Sequence, residues 1–214
     1  MHGFGASGDE ARTVALADAL VGAGYGVLTY DARGHGRSGG ECTLGDREQL
    51  DVAAAVEAAR SDGRRVVVVG TSMGAIGVLR NAAGAPGTVD AVVIESCPAR
   101  WTLPRNARGI ASAALTHTPP GRWFARRSMG VRIAGRIDRP APPIELVSAV
   151  EVPLAIVHGR VDPFIAVADA EALHEAARDP RRLVLVDDLG HAYEPEAIAP
   201  ILDSVDWALR SIRS

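Results

Sequence analysis

Short apolar runs alternate along this chain with longer segments that are alanine-rich or carry apolar residues at helical spacing. The runs predict strands at Gly26–Tyr30, Arg65–Gly70, Ala91–Ile94, Leu154–His158 and Leu183–Val186. The longer segments predict helices over Gly8–Val21, Arg47–Arg60, Ala75–Ala83, Ala168–Ala177 and Pro195–Ile212. Ser7 and Glu10 have capping-box spacing for the first of these. Alternation of this kind implies an α/β fold: a doubly wound, mostly parallel sheet with right-handed crossovers. Val66 to Val69 are β-branched on both faces, as expected of a central strand in a covered sheet. There is no internal repeat.

The rhythm breaks between Pro98 and Val150, where Trp101, Trp123 and the proline-rich exit Pro140-Ala141-Pro142-Pro143 lie. From Pro98 to Pro140 there are nine arginines (100, 105, 108, 122, 126, 127, 132, 136, 139) and one acid, Asp138. That stretch is about +8 in a chain whose net charge is −3, so the remainder is strongly acidic. An insertion between two sheet strands, at the carboxyl edge where ligands bind, reads as a helical cap or lid. The predicted organisation is a core of residues 1–97 and 151–214 with a cap insertion of 98–150.

A chain of 214 residues is long enough for one such domain with its own buried core. Two cysteines, Cys42 and Cys97, are too few for a disulfide framework and lack metal-site spacing. All 23 basic residues are arginine, a bias that points to genome composition rather than function. No apolar run approaches the ~20 residues of a membrane helix, and the first residues lack a signal-peptide pattern. The expectation is a cytoplasmic protein without a transmembrane segment. Nucleic acid is not an expected partner, since no binding motif accompanies the basic charge.

Gly70-Thr71-Ser72-Met73-Gly74 joins the Val66–Val69 strand to a helix. A serine at so sharp a strand-to-helix turn crowds its neighbours, and the flanking glycines relieve the clash. The turn lifts the hydroxyl to the carboxyl edge of the sheet and aims a helix N-terminus at it. A serine hydroxyl becomes a nucleophile when a base takes its proton and a third group orients that base. Asp162 follows the Leu154–His158 strand, and His191 follows the Leu183–Val186 strand. If the strands are parallel, both loops leave the same sheet edge as Ser72. The order is Ser72, Asp162, His191.

These motifs resemble those of the α/β-hydrolases, specifically serine hydrolases with an inserted cap. His2-Gly3-Phe4-Gly5 is similar to the oxyanion loop, and Asp31-Ala32-Arg33-Gly34-His35-Gly36-Arg37-Ser38 to the turn after the following strand. Gly70–Gly74 is similar to the nucleophile elbow; His158–Asp162 and Gly190-His191 are similar to the acid and base segments. The resemblance implies that Ser72 attacks a carbonyl, His191 relays the proton and Asp162 orients the imidazole. It implies an oxyanion hole from the Phe4 and Met73 amides and a small acyl substrate, with neither a metal nor an organic cofactor. Members of that family also carry an interior strand just upstream of the oxyanion loop, between the strands that here are Gly26–Tyr30 and Arg65–Gly70. Here Met1 alone precedes His2, and the expected explanation is a start further upstream.

Glu95 is the rival acid, since it ends the Ala91–Ile94 strand. His158 is expected to be structural beneath the acid turn, and His35 to shape its glycine-rich turn. His117 and His174 read as cap and surface residues, Asp187 and Asp188 as solvating the last strand, and Cys97 as a small buried hydrophobe. The cap arginines form a solvated face pairing with the acidic body, attract an anionic substrate, or lie on an anionic membrane. The function expected is hydrolysis of a carboxylic ester or thioester through an acyl-enzyme. The alternatives are an acyltransferase or peptidase on the same scaffold, or a non-catalytic binding or regulatory protein.

Overall fold

The computed structural model describes residues 1–60, 63–101, 106–138, 140–192 and 194–212. Arg105 and Arg139 of the predicted basic stretch lie outside the described residues. Four strands, β1 (Val67–Thr71), β2 (Ala91–Glu95), β3 (Leu154–Gly159) and β4 (Arg181–Val186), form one parallel sheet in the order β1-β2-β3-β4. Helices α1 (Ala11–Gly22), α2 (Glu48–Ala59) and α3 (Met73–Gly84) precede β2. Helices α4 (Ala107–His117), α5 (Pro119–Ser128) and the short α6 (Pro143–Leu146) lie between β2 and β3. Helix α7 (Val167–Ala176) joins β3 to β4, and α8 (Pro195–Ser211) ends the described chain.

Both faces of the sheet are covered, as a parallel sheet requires. Val92, Ile94, Leu154 and Ile156 pack with Ile76, Leu79 of α3 and Leu173 of α7 on one face. The alternate residues Val93, Ala155 and Val157 pack with Leu16 and Leu20 of α1 and Ile201 and Val205 of α8 on the other. Side chains alternate across a strand, so one apolar run feeds two cores.

Three expectations are corrected. Gly26–Tyr30 forms no β-ladder. A cavity of about 600 Å³ separates it from β1, lined on one side by residues 26–30 and on the other by Val66–Val69. β1 is therefore an edge strand among the described residues, and Val67–Val69 are half-buried rather than central. Met1 pairs along its outer edge: the Met1 nitrogen donates to Val69 O (2.5 Å) and Thr71 N–H to Met1 O (3.2 Å). The capping box is also absent. Ser7 Oγ donates to Asp9 Oδ1 (2.7 Å), and α1 begins after Glu10 with no side-chain cap.

Candidate active site

The loops that leave the carboxyl ends of β1, β3 and β4 converge. Ser72 sits between β1 and α3 at φ +52°, a backbone region that costs a non-glycine residue ~1–3 kcal/mol. Its surroundings hold it there: Ser72 N–H donates to Glu95 O (2.8 Å), and Ser72 O accepts from Ala75 N–H (3.0 Å). A Cβ on Gly70 would stand 2.7 Å from Val78 Cγ2, and one on Gly74 would stand 2.6 Å from both Met1 O and His2 O. The flanking glycines are thus required by close packing of helix and N-terminal loop.

Asp162 follows β3 in a tight turn. Its Oδ1 accepts from Phe164 N–H (2.8 Å) and Ile165 N–H (3.0 Å), and its Oδ2 lies 2.7 Å from His191 Nδ1. Burial of this side chain opposes ionisation. The hydrogen bonds it accepts from His191 and from the two backbone amides outweigh that and hold the carboxyl below its ordinary value. A carboxylate only accepts, so His191 Nδ1 carries the hydrogen and Nε2 is left as acceptor. Ser72 Oγ lies 3.0 Å from that Nε2. Phe164 meets the His191 ring edge-on at 5.0 Å between centroids. Glu95 is not part of this chain of hydrogen bonds: it is fully buried and accepts from Thr71 Oγ1 (3.0 Å).

The N-terminal loop lies against the nucleophile. A Cβ on Gly3 would be 3.4 Å from Ser72 Cβ, and Ala6 N–H closes a turn onto Gly3 O (3.3 Å) with Gly5 at φ +79°. Phe4 and Met73 line a cavity of about 740 Å³ together with Ser72, Trp101, Thr116 and Phe164. Among the described residues neither the Phe4 nor the Met73 N–H has a protein acceptor. For Met73 this follows from its place at the first position of α3, where helical amides lack intrahelical partners.

Residues of the segment between β2 and β3, among them Trp101, Thr116 and Ile137, line this cavity. Asn106 Nδ2 donates to Pro163 O (2.8 Å), tying the segment to the acid loop, and the Thr118 side chain caps α5 through Gly121 N–H (3.1 Å). Arg132 is half-buried, donates to Ser38 O and Gly40 O, and is built in rather than solvated. Among the described residues, the ion pair made by an arginine of this segment is Arg136–Asp138, within the segment itself, so pairing with the acidic body is not observed there. Trp123 and Phe124 are exposed beside Arg126 and Arg127.

Other residues fall as their chemistry suggests. His158 Nε2 donates to Ile165 O (3.3 Å) beneath the acid turn. Burial pushes both the Cys42 and Cys97 thiols up, so neither is a reactive thiolate. Asp187 pairs with Arg160 (2.9 Å) in solvent. Two further acids, Glu48 and Glu194, shape the loops around the site. Buried Glu48 accepts from Thr43 N–H (2.6 Å), Thr43 Oγ1 (2.6 Å) and Gly45 N–H (2.9 Å), shaping the cavity wall at Thr43 and Leu44. Glu194 accepts from Gly190 N–H (2.7 Å), directly before His191. Both look like ordinary surface acids in sequence; the glycine near each was the available signal.

A family model described as serine aminopeptidase, S33, matches residues 1–141. The chain belongs to this S33 hydrolase family. It is an α/β-hydrolase, and the solved structures it resembles agree. The Pyrococcus furiosus esterase Pf2001 superposes with a TM-score of 0.75 at 25% identity, covering 100% of this chain and 81% of that one. A Paleococcus ferrophilus monoacylglycerol lipase superposes at 0.72 with 19% identity over 99% of this chain and 93% of that one, a likeness of fold. Among curated relatives, the uncharacterized protein Rv2307c of Mycobacterium tuberculosis is 28% identical over 202 residues. The uncharacterized protein YqkD of Bacillus subtilis is 26% identical over 173. Those alignments take in 91% and 79% of this S33-family chain but only 62% and 56% of the relatives. The chain thus spans about three fifths of the length of the curated relatives it matches.

Proposed function

We propose that this chain is a serine hydrolase that cleaves a carboxylic ester or thioester through an acyl-enzyme. The observation that carries the reading is the continuous hydrogen-bonded series Asp162 Oδ2–His191 Nδ1 (2.7 Å) and His191 Nε2–Ser72 Oγ (3.0 Å). Ser72 Oγ attacks the carbonyl carbon while its proton passes to His191 Nε2. The imidazolium that forms is stabilised by the ionised Asp162 beside it. The carbonyl oxygen becomes an oxyanion that accepts hydrogen bonds from the Phe4 and Met73 amides, one such donor being worth ~3–4 kcal/mol of transition-state stabilisation. His191 returns the proton to the departing alkoxide or thiolate. Water, deprotonated by His191, then releases the acid and restores Ser72. Residues 98–150 act as the lid over the acyl pocket, to whose apolar lining they contribute Trp101 and Ile137.

The test is intact-mass labelling with a fluorophosphonate on wild-type chain and Ser72→Ala. A single adduct lost in Ser72→Ala is expected; an adduct that persists would move the nucleophile elsewhere. The description of the matching family favours a second reading, hydrolysis of an amide at a peptide N-terminus. Comparing p-nitrophenyl esters with aminoacyl p-nitroanilides separates the two.

A further inference from the structure

Two buried histidines brace the N-terminal loop from opposite directions. His2, 1% exposed, comes from that loop; His35, fully buried, comes from the glycine-rich loop 31–38. His2 Nε2 lies 2.9 Å from Ala32 N of the second loop, and His35 Nε2 lies 3.2 Å from Gly5 N of the first. At the other ring nitrogen each contacts a carbonyl of its own loop: His2 Nδ1 to Gly3 O (2.8 Å), His35 Nδ1 to Arg33 O (3.0 Å). A backbone N–H only donates and a carbonyl only accepts. Both rings are therefore neutral, with the hydrogen on Nδ1 and Nε2 bare. The rings meet edge-on at 5.0 Å, and Phe4 meets His35 edge-on at 5.9 Å.

The peptide planes these rings grip flank Phe4. Gly3 C=O and Phe4 N–H belong to one planar trans peptide, so anchoring the carbonyl on His2 Nδ1–H and Ala6 N–H sets the direction of the Phe4 N–H on its opposite side. The next plane, Phe4–Gly5, is held by Gly5 N–H on His35. We propose that His2 and His35 are a reciprocal clamp of positioning residues that orients the Phe4 amide for the oxyanion. The proposal rests on the hydrolase reading above, in which that amide is an oxyanion donor. Burial lowers the affinity of both rings for a second proton, to a pKa of about 4 at His2. Asp31 faces both rings and Glu48 faces His35, favouring protonation. Arg132 beside His35, and both the Met1 nitrogen and the His35 ring beside His2, oppose it.

Glutamine places an oxygen acceptor where Nε2 stands and cannot titrate; leucine fills the space without an acceptor. For His35→Leu, kcat on a p-nitrophenyl ester and the rate of fluorophosphonate labelling should fall about 10- to 100-fold with KM little changed. His35→Gln should recover most of that loss. Wild-type rates in His35→Leu, or equal losses in both variants, would overturn the clamp. Should His35→Leu fail to fold, ¹⁵N spectra of the wild-type imidazoles at pH 7 decide: Nδ1–H tautomers at both positions support it, and an Nε2–H tautomer or imidazolium at either refutes it. A folded wild type with those tautomers that neither labels nor turns over would overturn the hydrolase reading instead.

Discussion

Gly159, the last residue of β3, lies directly beneath Leu189 of the loop that carries His191, so close that a Cβ would overlap the Leu189 carbonyl oxygen. Leu189 O also accepts from Val161 N–H (3.3 Å), next to Asp162. The acid loop and the base loop are thus stacked through backbone. Gly159 is not at positive φ, so its requirement is steric. Gly159→Ala should lower stability by about 1–3 kcal/mol through overpacking and reduce the proposed esterase activity by separating Asp162 from His191. Urea midpoints and kcat measured together check this; an active variant of wild-type stability would refute it.

Ser72 combines the proposed chemistry with a strained backbone. Ser72→Ala should lower turnover by ~10⁴-fold or more. Ser72→Gly should be equally inactive yet more stable by about 1 kcal/mol, because glycine adopts this conformation without the Cβ clash. Thermal unfolding of the two variants side by side tests it; a less stable Ser72→Gly would show that no strain is stored there.

Asp162 and Glu95 are both buried acids near the nucleophile, but the hydrogen bond to His191 belongs to Asp162. Asp162→Asn should lower kcat by ~10⁴-fold by favouring the wrong imidazole tautomer. Glu95→Gln should retain far more activity. Steady-state kinetics that rank them in the opposite order would transfer the orienting role to Glu95.

His2 holds a pKa of about 4 in the fold, against about 6.5 unfolded. Between those values the unfolded chain takes up a proton that the native chain refuses. Stability is therefore fully present above pH 6.5 and declines as pH falls toward 4, by about 3 kcal/mol from this group. His35 shifts in the same direction. Urea unfolding at pH 7.5, 5.5 and 4.5 should show the decline, and His2→Gln should show a shallower one; matching slopes would exclude His2 as a source.

Alternate amides of β1 face opposite edges. Ser72 N–H bonds to Glu95 O of β2, whereas Thr71 N–H bonds to Met1 O. By the same alternation Val68 and Gly70 donate toward β2, while Val67 and Val69 face the cavity beside residues 26–30. Hydrogen exchange should be fast at Val67 and Val69 and slow at Val68 and Gly70. Uniform protection along β1 would mean that its outer edge is paired in solution.

The pattern of apolar runs by itself located β1 to β4, because a strand covered on both faces must be apolar at every position, and helical spacing located α3, α7 and α8 after β1, β3 and β4 but not the helices after β2. It also set the chain order of Ser72, Asp162 and His191 at strand ends, since those residues stand beside the runs in the sequence. Whether a run becomes a strand depends on a neighbour to pair with. Gly26–Tyr30 has the composition but no adjacent ladder, and only the tertiary structure decided that. The same holds for His2 and His35, each of which meets a backbone amide of the other's loop, far away in the chain. Local periodicity reports which residues prefer burial; the partner that a polar group finds once buried is a property of chain segments brought together from a distance.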